Sequence, residues 1–136
     1  MSPYGGIGRG MKVGKEELCG VLAAVERYLK VDHAAEYREL EGRVDSIRVA
    51  LKLVSGVRTD RHVPVIANEV PHVTVEWDES TRGQTSQQVV EKLLAGDPPI
   101  HVQRSGAGKL LISVWMMRGE EHKVVGRRLR EILSAS

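Results

Sequence analysis

The apolar residues of this chain change their spacing at Gly56, and that change limits the folds open to it more than any other feature. Before Gly56, Leu40, Val44, Ile47, Leu51 and Val54 recur at steps of four, three, four and three. That is the period of an amphipathic helix with one buried stripe. After Gly56, Val63, Val65 and Ala67 alternate with their neighbours. Beyond the Asn68 to Pro71 break, the run from His72 to Trp77 sends Val73, Val75 and Trp77 to one face. Alternation of this kind marks strands with one buried side, and these two runs read as an antiparallel pair. A chain that carries both periods in separate blocks must pack helix on sheet.

The remaining elements follow by the same rules. Leu18, Val21, Leu22, Val25 and Leu29 predict an amphipathic helix from Lys15 to about Val31, with Glu16 and Glu17 favourably placed in its first turn. Asp32 is a good N-cap for the helix that ends near Gly56, which would be about 23 residues and about 35 Å long. Its other face, with Arg38, Glu39, Arg43, Asp45 and Arg48, reads as solvated. A Thr85-x-x-Gln88 capping box opens a helix over Thr85 to Ala95, closed at Gly96 to Pro99. Ile100 to Arg104 and Leu110 to Trp115 form a second hairpin around Ser105 to Gly108, and Glu120 to Leu133 is a closing helix. The expected fold class is α+β: two N-terminal helices, then two β-β-α units, with an antiparallel sheet and helices packed on one face. The expected organisation is a glycine-rich basic segment, 1–14, followed by a small C-terminal α+β domain, 15–136.

Composition excludes several classes. A chain of 136 residues with 41% hydrophobic and 28% charged residues folds as one soluble domain without staples. No apolar run approaches the roughly 18 residues of a membrane span. The absence of a signal-peptide core and the single cysteine, Cys19, make a cytoplasmic location the expectation. Cys19 sits within the apolar pattern of the first helix and is expected in the core. Net charge is only +2, with cations and acids interleaved, which argues against a nucleic-acid footprint. Aromatics at 4% and no Phe leave no stacking platform for a single strand.

The stretch from Gly5 to Lys15 stands apart, because it holds five glycines and three cations in eleven residues. Glycine lets a backbone approach a ligand closely, and Arg9, Lys12 and Lys15 supply positive charge. The stretch runs straight into a helix N-terminus, whose free N–H groups also favour anions. Gly5 to Gly8 is not a dinucleotide fingerprint, and Gly106 to Lys109 is not a P-loop but a tight hairpin, since each fails its motif's spacing and context. The five histidines are spread singly with no metal-ligand spacing, so zinc is not expected; His72 and His101 each begin a strand, where edge or surface placement is the ordinary outcome. Arg104, at a strand's end, could pair bidentately with a carboxylate or phosphate, or with a nearby acid of the same fold.

The run from Gly6 to Glu17, followed by Leu22 to Leu29, resembles the start of the C-terminal small domain of the selenocysteine-synthase-like, fold-type-I pyridoxal-phosphate enzymes. The family includes L-seryl-tRNA(Sec) selenium transferase-related proteins and D-glucosaminate-6-phosphate ammonia-lyases. Weaker likenesses continue at Trp77-Asp78, Gly96 to Ile100 and Arg118 to Glu121. The resemblance implies β-elimination or replacement on an amino-acid-type, anionic substrate. It places the cofactor's lysine on a large domain upstream of the matching segment, with none bound covalently here. It also implies that Arg9 and Lys12 contact an anion beside the cofactor, that Arg104 contacts substrate, and that the partner is a large pyridoxal-phosphate domain or a second copy. Without that domain, Gly5 to Lys15 is expected to be disordered and the chain inactive. The alternative is a stand-alone α+β module binding a small anionic ligand or a separately encoded partner domain.

Overall fold

A computed structural model describes residues 12–65 and 69–135. The chain divides into two compact units, Met1–His33 and Ala34–Ser136. Arg9 and most of the Gly5 to Lys15 stretch, with its expected disorder, lie outside the described residues.

The N-terminal unit contains helix α1 (Lys15–Lys30). Glu17 reaches back to accept the Gly14 N–H, which is half of a capping box, since glycine has no side chain to return the bond. At the other end the His33 ring stacks 4.2 Å from the Tyr28 ring, and its Nε2 donates to the Tyr28 carbonyl at 3.0 Å. The helix forms where the apolar stripe predicts it, but it buries none of its residues. Leu18, Val21, Leu22, Val25 and Leu29 are 48–77% exposed. The expectation that Cys19 lies in the core is therefore corrected: it is exposed, as is the apolar stripe of the same helix.

Helix α2 (His33–Leu51) begins directly after Asp32 and from Ala34 onward belongs to the second unit. It stops five residues short of Gly56. Tight turns follow, with Val54 N–H donating to Leu51 O at 3.0 Å and Val57 N–H to Val54 O at 3.3 Å. Gly56 completes the reversal at φ 71°, a left-handed conformation that glycine adopts without steric cost. Val44, Ile47 and Leu51 are buried as the stripe requires, and Val54 is buried from the turn. One residue of the supposed solvated face is not solvated: Arg43 donates to the carbonyls of Val114 (3.2 Å) and Met117 (2.5 Å), binding α2 to the segment after the last strand.

The sheet has four antiparallel strands in the order β1-β2-β4-β3: β1 (Val57–His62), β2 (His72–Trp77), β3 (Gln103–Arg104) and β4 (Lys109–Ser113). The expected first strand around Val63 and Val65 is corrected, since β1 lies earlier and Val65 is 99% exposed. An edge strand needs little apolar character, so the polar run from Val57 to His62 carried no period-two signal. Its place is fixed by pairing with β2 and by Arg61, whose guanidinium grips Glu41 at 2.5–2.9 Å and the Tyr37 hydroxyl at 2.8 Å on α2.

Two further helices follow β2, a four-residue α3 (Glu79–Arg82) and α4 (Ser86–Leu94), and α5 (Glu121–Ser134) closes the chain. The Thr85 capping box is present in full, with Gln88 N–H donating to Thr85 Oγ1 at 3.2 Å and Thr85 N–H to Gln88 Oε1 at 2.9 Å. Register pairs Val73 with Ile112 and Val75 with Leu110, so these four side chains share a face. They form one core with Ile47 and Leu51 of α2, Val89 and Leu93 of α4, and Leu129 and Leu133 of α5. The fold is α+β, with helices packed against an antiparallel sheet. No described helix is long and apolar enough to cross a membrane.

Ile47→Ala should lower unfolding free energy by about 2–5 kcal/mol in urea titrations, as a cavity in a rigid core does. Val65→Ala should stay within about 0.5 kcal/mol of wild type; a large loss at Val65 would show that the strand had been placed wrongly.

Candidate functional site

The face of the sheet away from the helices is set by register. Arg58, Asp60 and His62 lie opposite Glu76, Thr74 and His72, which in turn lie opposite Lys109, Leu111 and Ser113. Two concavities form near this face, one toward each end.

The first is a cleft of about 700 Å³ lined by Arg58, Glu76, Asp78, Ala107, Gly108 and Lys109, among others. Its floor depends on Glu79. As the first residue of α3, Glu79 turns its Oε1 to accept the backbone N–H of Ser86 at 2.6 Å and of Gly108 at 2.7 Å. One carboxylate thus ties α3, the start of α4 and the β3–β4 turn. Those two N–H bonds, with that of Ser86 first, hold its pKa below the usual range. Trp77 N–H donates to Gly108 O at 2.9 Å, and Ser86 Oγ donates to Gly106 O at 3.0 Å. Gly108 takes φ 57°, and a Cβ there would stand 2.0 Å from the Trp77 carbonyl oxygen. The sequence reading of this loop as a tight hairpin is right, and the reason for its second glycine is the close approach to β2.

Asp78 caps α3, accepting from Ser80 N–H and hydroxyl at 2.9 and 2.6 Å and from the Thr81 hydroxyl at 2.8 Å. These bonds, led by the Ser80 hydroxyl, lower its pKa from 3.8 to about 2. Beside it, Glu76 lies between two cations, with Lys109 Nζ at 2.5 Å and Arg58 Nη2 at 3.3 Å. Lys109 is the main cause of the lowered Glu76 pKa, with Arg58 adding to it. The trio carries one surplus positive charge, which the ionised Asp78 lining the same cleft offsets, so any hold on a carboxylate or phosphate rests on the Arg58 and Lys109 donors themselves rather than on a net positive field.

The second concavity, about 340 Å³, is lined by His72, His101, Gln103, Leu111 and Ser113, with Val102. His72 Nδ1 donates to the Val70 carbonyl at 2.7 Å, which leaves Nε2 as its free ring position. His62 pairs directly across from His72. Folding thus gathers histidines that the sequence shows only singly. Among the described residues no group of three or more His, Cys, Asp or Glu has a metal-holding arrangement.

Of the residues singled out from the sequence, Lys12 is exposed in the N-terminal unit, and Arg9 lies outside the described residues. Arg104 lines neither concavity. Paired with Leu110 in register, it points to the helix side and donates to Gln87 Oε1 of α4 at 2.7 Å. Arg58, Glu76 and Lys109 were missed, because opposite partners on different strands have no linear signature.

No protein-family model matches the chain. Over 132 residues it is 28% identical to the 5'-C-glycyluridine monooxygenase-decarboxylase of a Streptomyces species, a match that covers 96% of this chain and 33% of that enzyme. Its fold is similar to that of D-glucosaminate-6-phosphate ammonia-lyase, with a TM-score of 0.67 and 23% identity, over 96% of this chain and 35% of the other. The chain spans about a third of the length of each. It corresponds to one part of a larger enzyme. The ammonia-lyase is one of the two groups that the sequence resemblance includes, and its likeness here is one of fold; a monooxygenase-decarboxylase was not anticipated from the residues.

Two outcomes test the cleft's architecture. Asp78 has a folded pKa below its unfolded one, so its capping bonds contribute stability that is fully present above 3.8 and is lost as pH falls through about 2. The fall in urea midpoint from about pH 4 to about pH 2 should therefore be smaller for Asp78→Asn than for wild type, and equal falls would overturn the assignment. Gly108→Ala should cost about 2 kcal/mol or more in the same assay, since the turn must open to admit the methyl group.

Proposed function

We propose that this chain is the small domain of a pyridoxal-phosphate-dependent lyase or transferase that acts on an amino-acid-type substrate by β-elimination or replacement. The observation that carries this reading is coverage: 96% of the chain matches about a third of two enzymes. The names of both describe substrates with an amino-acid unit, a glycyl group in one and an amino sugar acid in the other. The ammonia-lyase supports the elimination chemistry, and the matches favour that side of the resemblance over the selenium-transferase side.

Pyridoxal phosphate, when bound through a lysine, supplies an electron sink for bonds at the amino-bearing carbon. That lysine needs a desolvated setting. No described lysine is buried, and the Lys109 ammonium is paired with Glu76 at 2.5 Å. The described residues do not fit the covalent site. On this reading the lysine belongs to a large domain, on the same chain or separately encoded, within the two-thirds of the relatives that this chain does not span. Arg9 and Lys12 would contact an anion beside the cofactor and Arg104 the substrate. Within the second unit, Arg58 and Lys109 are further cations able to position an anionic group, which is electrostatic orientation rather than proton transfer.

A second reading, a stand-alone module that binds a small anion, draws on the two cationic donors, Arg58 and Lys109, that line one open cleft beside Glu76 and Asp78.

Adding pyridoxal phosphate to the purified chain should give no stoichiometric visible absorbance band. A band lost on replacing one lysine of this chain would put the covalent site here and overturn the first reading. Inorganic phosphate should shift the amide resonances of Gly108 and Lys109, with affinity weakened about fivefold or more in Lys109→Ala, as expected for the loss of about 1 kcal/mol of charge-assisted bonding. Unmoved resonances would remove the anion site from both readings.

A further inference from the structure

Three of the five histidines gather at one end of the sheet's open face. His62 of β1 lies directly opposite His72 of β2, and His72 lies opposite Ser113 of β4. His101, just before β3, lines the same concavity as His72 and Ser113. The other two histidines have local structural duties near helix ends, where the His33 ring bonds to the Tyr28 carbonyl and the His122 ring to the Gly119 carbonyl. Along the chain the gathered three have no metal-ligand spacing; register supplies the pairing that spacing lacks.

Residues directly opposite on antiparallel strands hold their Cβ atoms about 4.5–5.5 Å apart and turn their side chains to the same face. That separation suits two imidazoles sharing one divalent ion at about 2.0–2.1 Å from each ligating nitrogen. His72 carries a further mark of a ligand. Its Nδ1 donates to the Val70 carbonyl at 2.7 Å, which leaves Nε2 with the lone pair, and metal-ligating histidines are held in just this way by a bond from the other ring nitrogen. The surrounding charge also favours a cation. Asp60 stands on the same face of β1 as His62, Arg61 turns away to Glu41 and Tyr37 of α2, and Arg58 and Lys109 lie toward the far ends of their strands. Among the described residues no third His, Cys, Asp or Glu joins the pair in a metal-holding arrangement, so water fills the remaining positions of a tetrahedral ion.

The geometry points to a two-imidazole site for a divalent transition cation such as Zn²⁺, with His62 and His72 as its protein ligands and water completing the shell. Imidazole nitrogen suits ions of this class. The ion would tie the edge strand β1 to β2, and its water positions would stay open to exchange. The inference rests on strand register within the second unit and not on the proposed cofactor chemistry, so the two can fail separately.

Titration of the full 136-residue chain with Zn²⁺ alone, followed through the ring resonances of each histidine by NMR, tests it. The His62 and His72 rings should shift together with one saturating affinity, and His72 should respond at Nε2 while Nδ1 keeps its proton. His62→Ala should weaken binding at His72 about tenfold or more, and His72→Ala should do the same at His62, because each removes half of a chelate. Circular dichroism of His62→Ala should match wild type, since the side chain replaced is exposed, so its loss of binding is not a loss of fold. His101→Ala should leave the affinity unchanged. Rings that respond independently, each indifferent to loss of the other, would overturn the inference, as would no response at either. So would a loss in His101→Ala as large as that in His62→Ala, which would move the ion to the other side of His72.

Discussion

One carboxylate holds together the part of this fold that faces the candidate cleft. Glu79 accepts two backbone N–H groups from segments far apart in sequence, Ser86 and Gly108. Both belong to places where backbone donors lack partners by construction, the first turn of α4 and the turn of a hairpin. An unpaired buried N–H costs as much as a lost hydrogen bond, so an ionised acid that serves two at once is an economical joint. Through it the β3–β4 turn is seated against β2, and Lys109 is delivered to Glu76 at 2.5 Å. The cleft's charge arrangement thus depends on a residue that contributes no charge to its opening.

A second joint sits at the other edge of the sheet. Arg61 on β1 fastens to Glu41 and Tyr37 on α2 through a forked, bidentate contact. Such geometry uses the planarity of guanidinium, which lysine cannot imitate. Glu41 is partly buried, and its lowered pKa comes first from the Arg61 hydrogen bond. Core packing between α2, α4, α5 and the two central strands supplies the bulk of cohesion, while Glu79 and Arg61 fix the periphery.

What the sequence revealed follows what each element needs from its side chains. The α2 stripe, the Thr85 capping box and the two central strands were legible because burial on one face imposes a period, and a cap imposes a residue type at a fixed offset. β1 was misplaced because it takes its position from partners on β2 and α2, not from its own apolar content. The short α3 was missed for a similar reason: four residues cannot display a period, although Asp78 followed by Ser80 and Thr81 is a capping signal that could have found it. Cys19 and the stripe around it were assigned to the core because amphipathicity reports a face meant to be covered and is silent on what covers it. The cleft trio Arg58, Glu76 and Lys109, and the histidines around the second concavity, exist only once register is known, since neighbours across a sheet are remote along the chain.

The two outer strands bear on how this protein can meet others. β1 exposes Arg58, Asp60, Arg61 and His62 along its length, and β3 is only two residues long. Charged rims and short edges are how natural sheets refuse an additional strand. The sheet is therefore closed to growth in its own plane, and neither fibrillar stacking nor capture of an extended peptide by backbone pairing suits it. Association must come through side chains on a face or along a helix, where specificity is written in shape and charge rather than in the repeating hydrogen-bond pattern that every polypeptide shares.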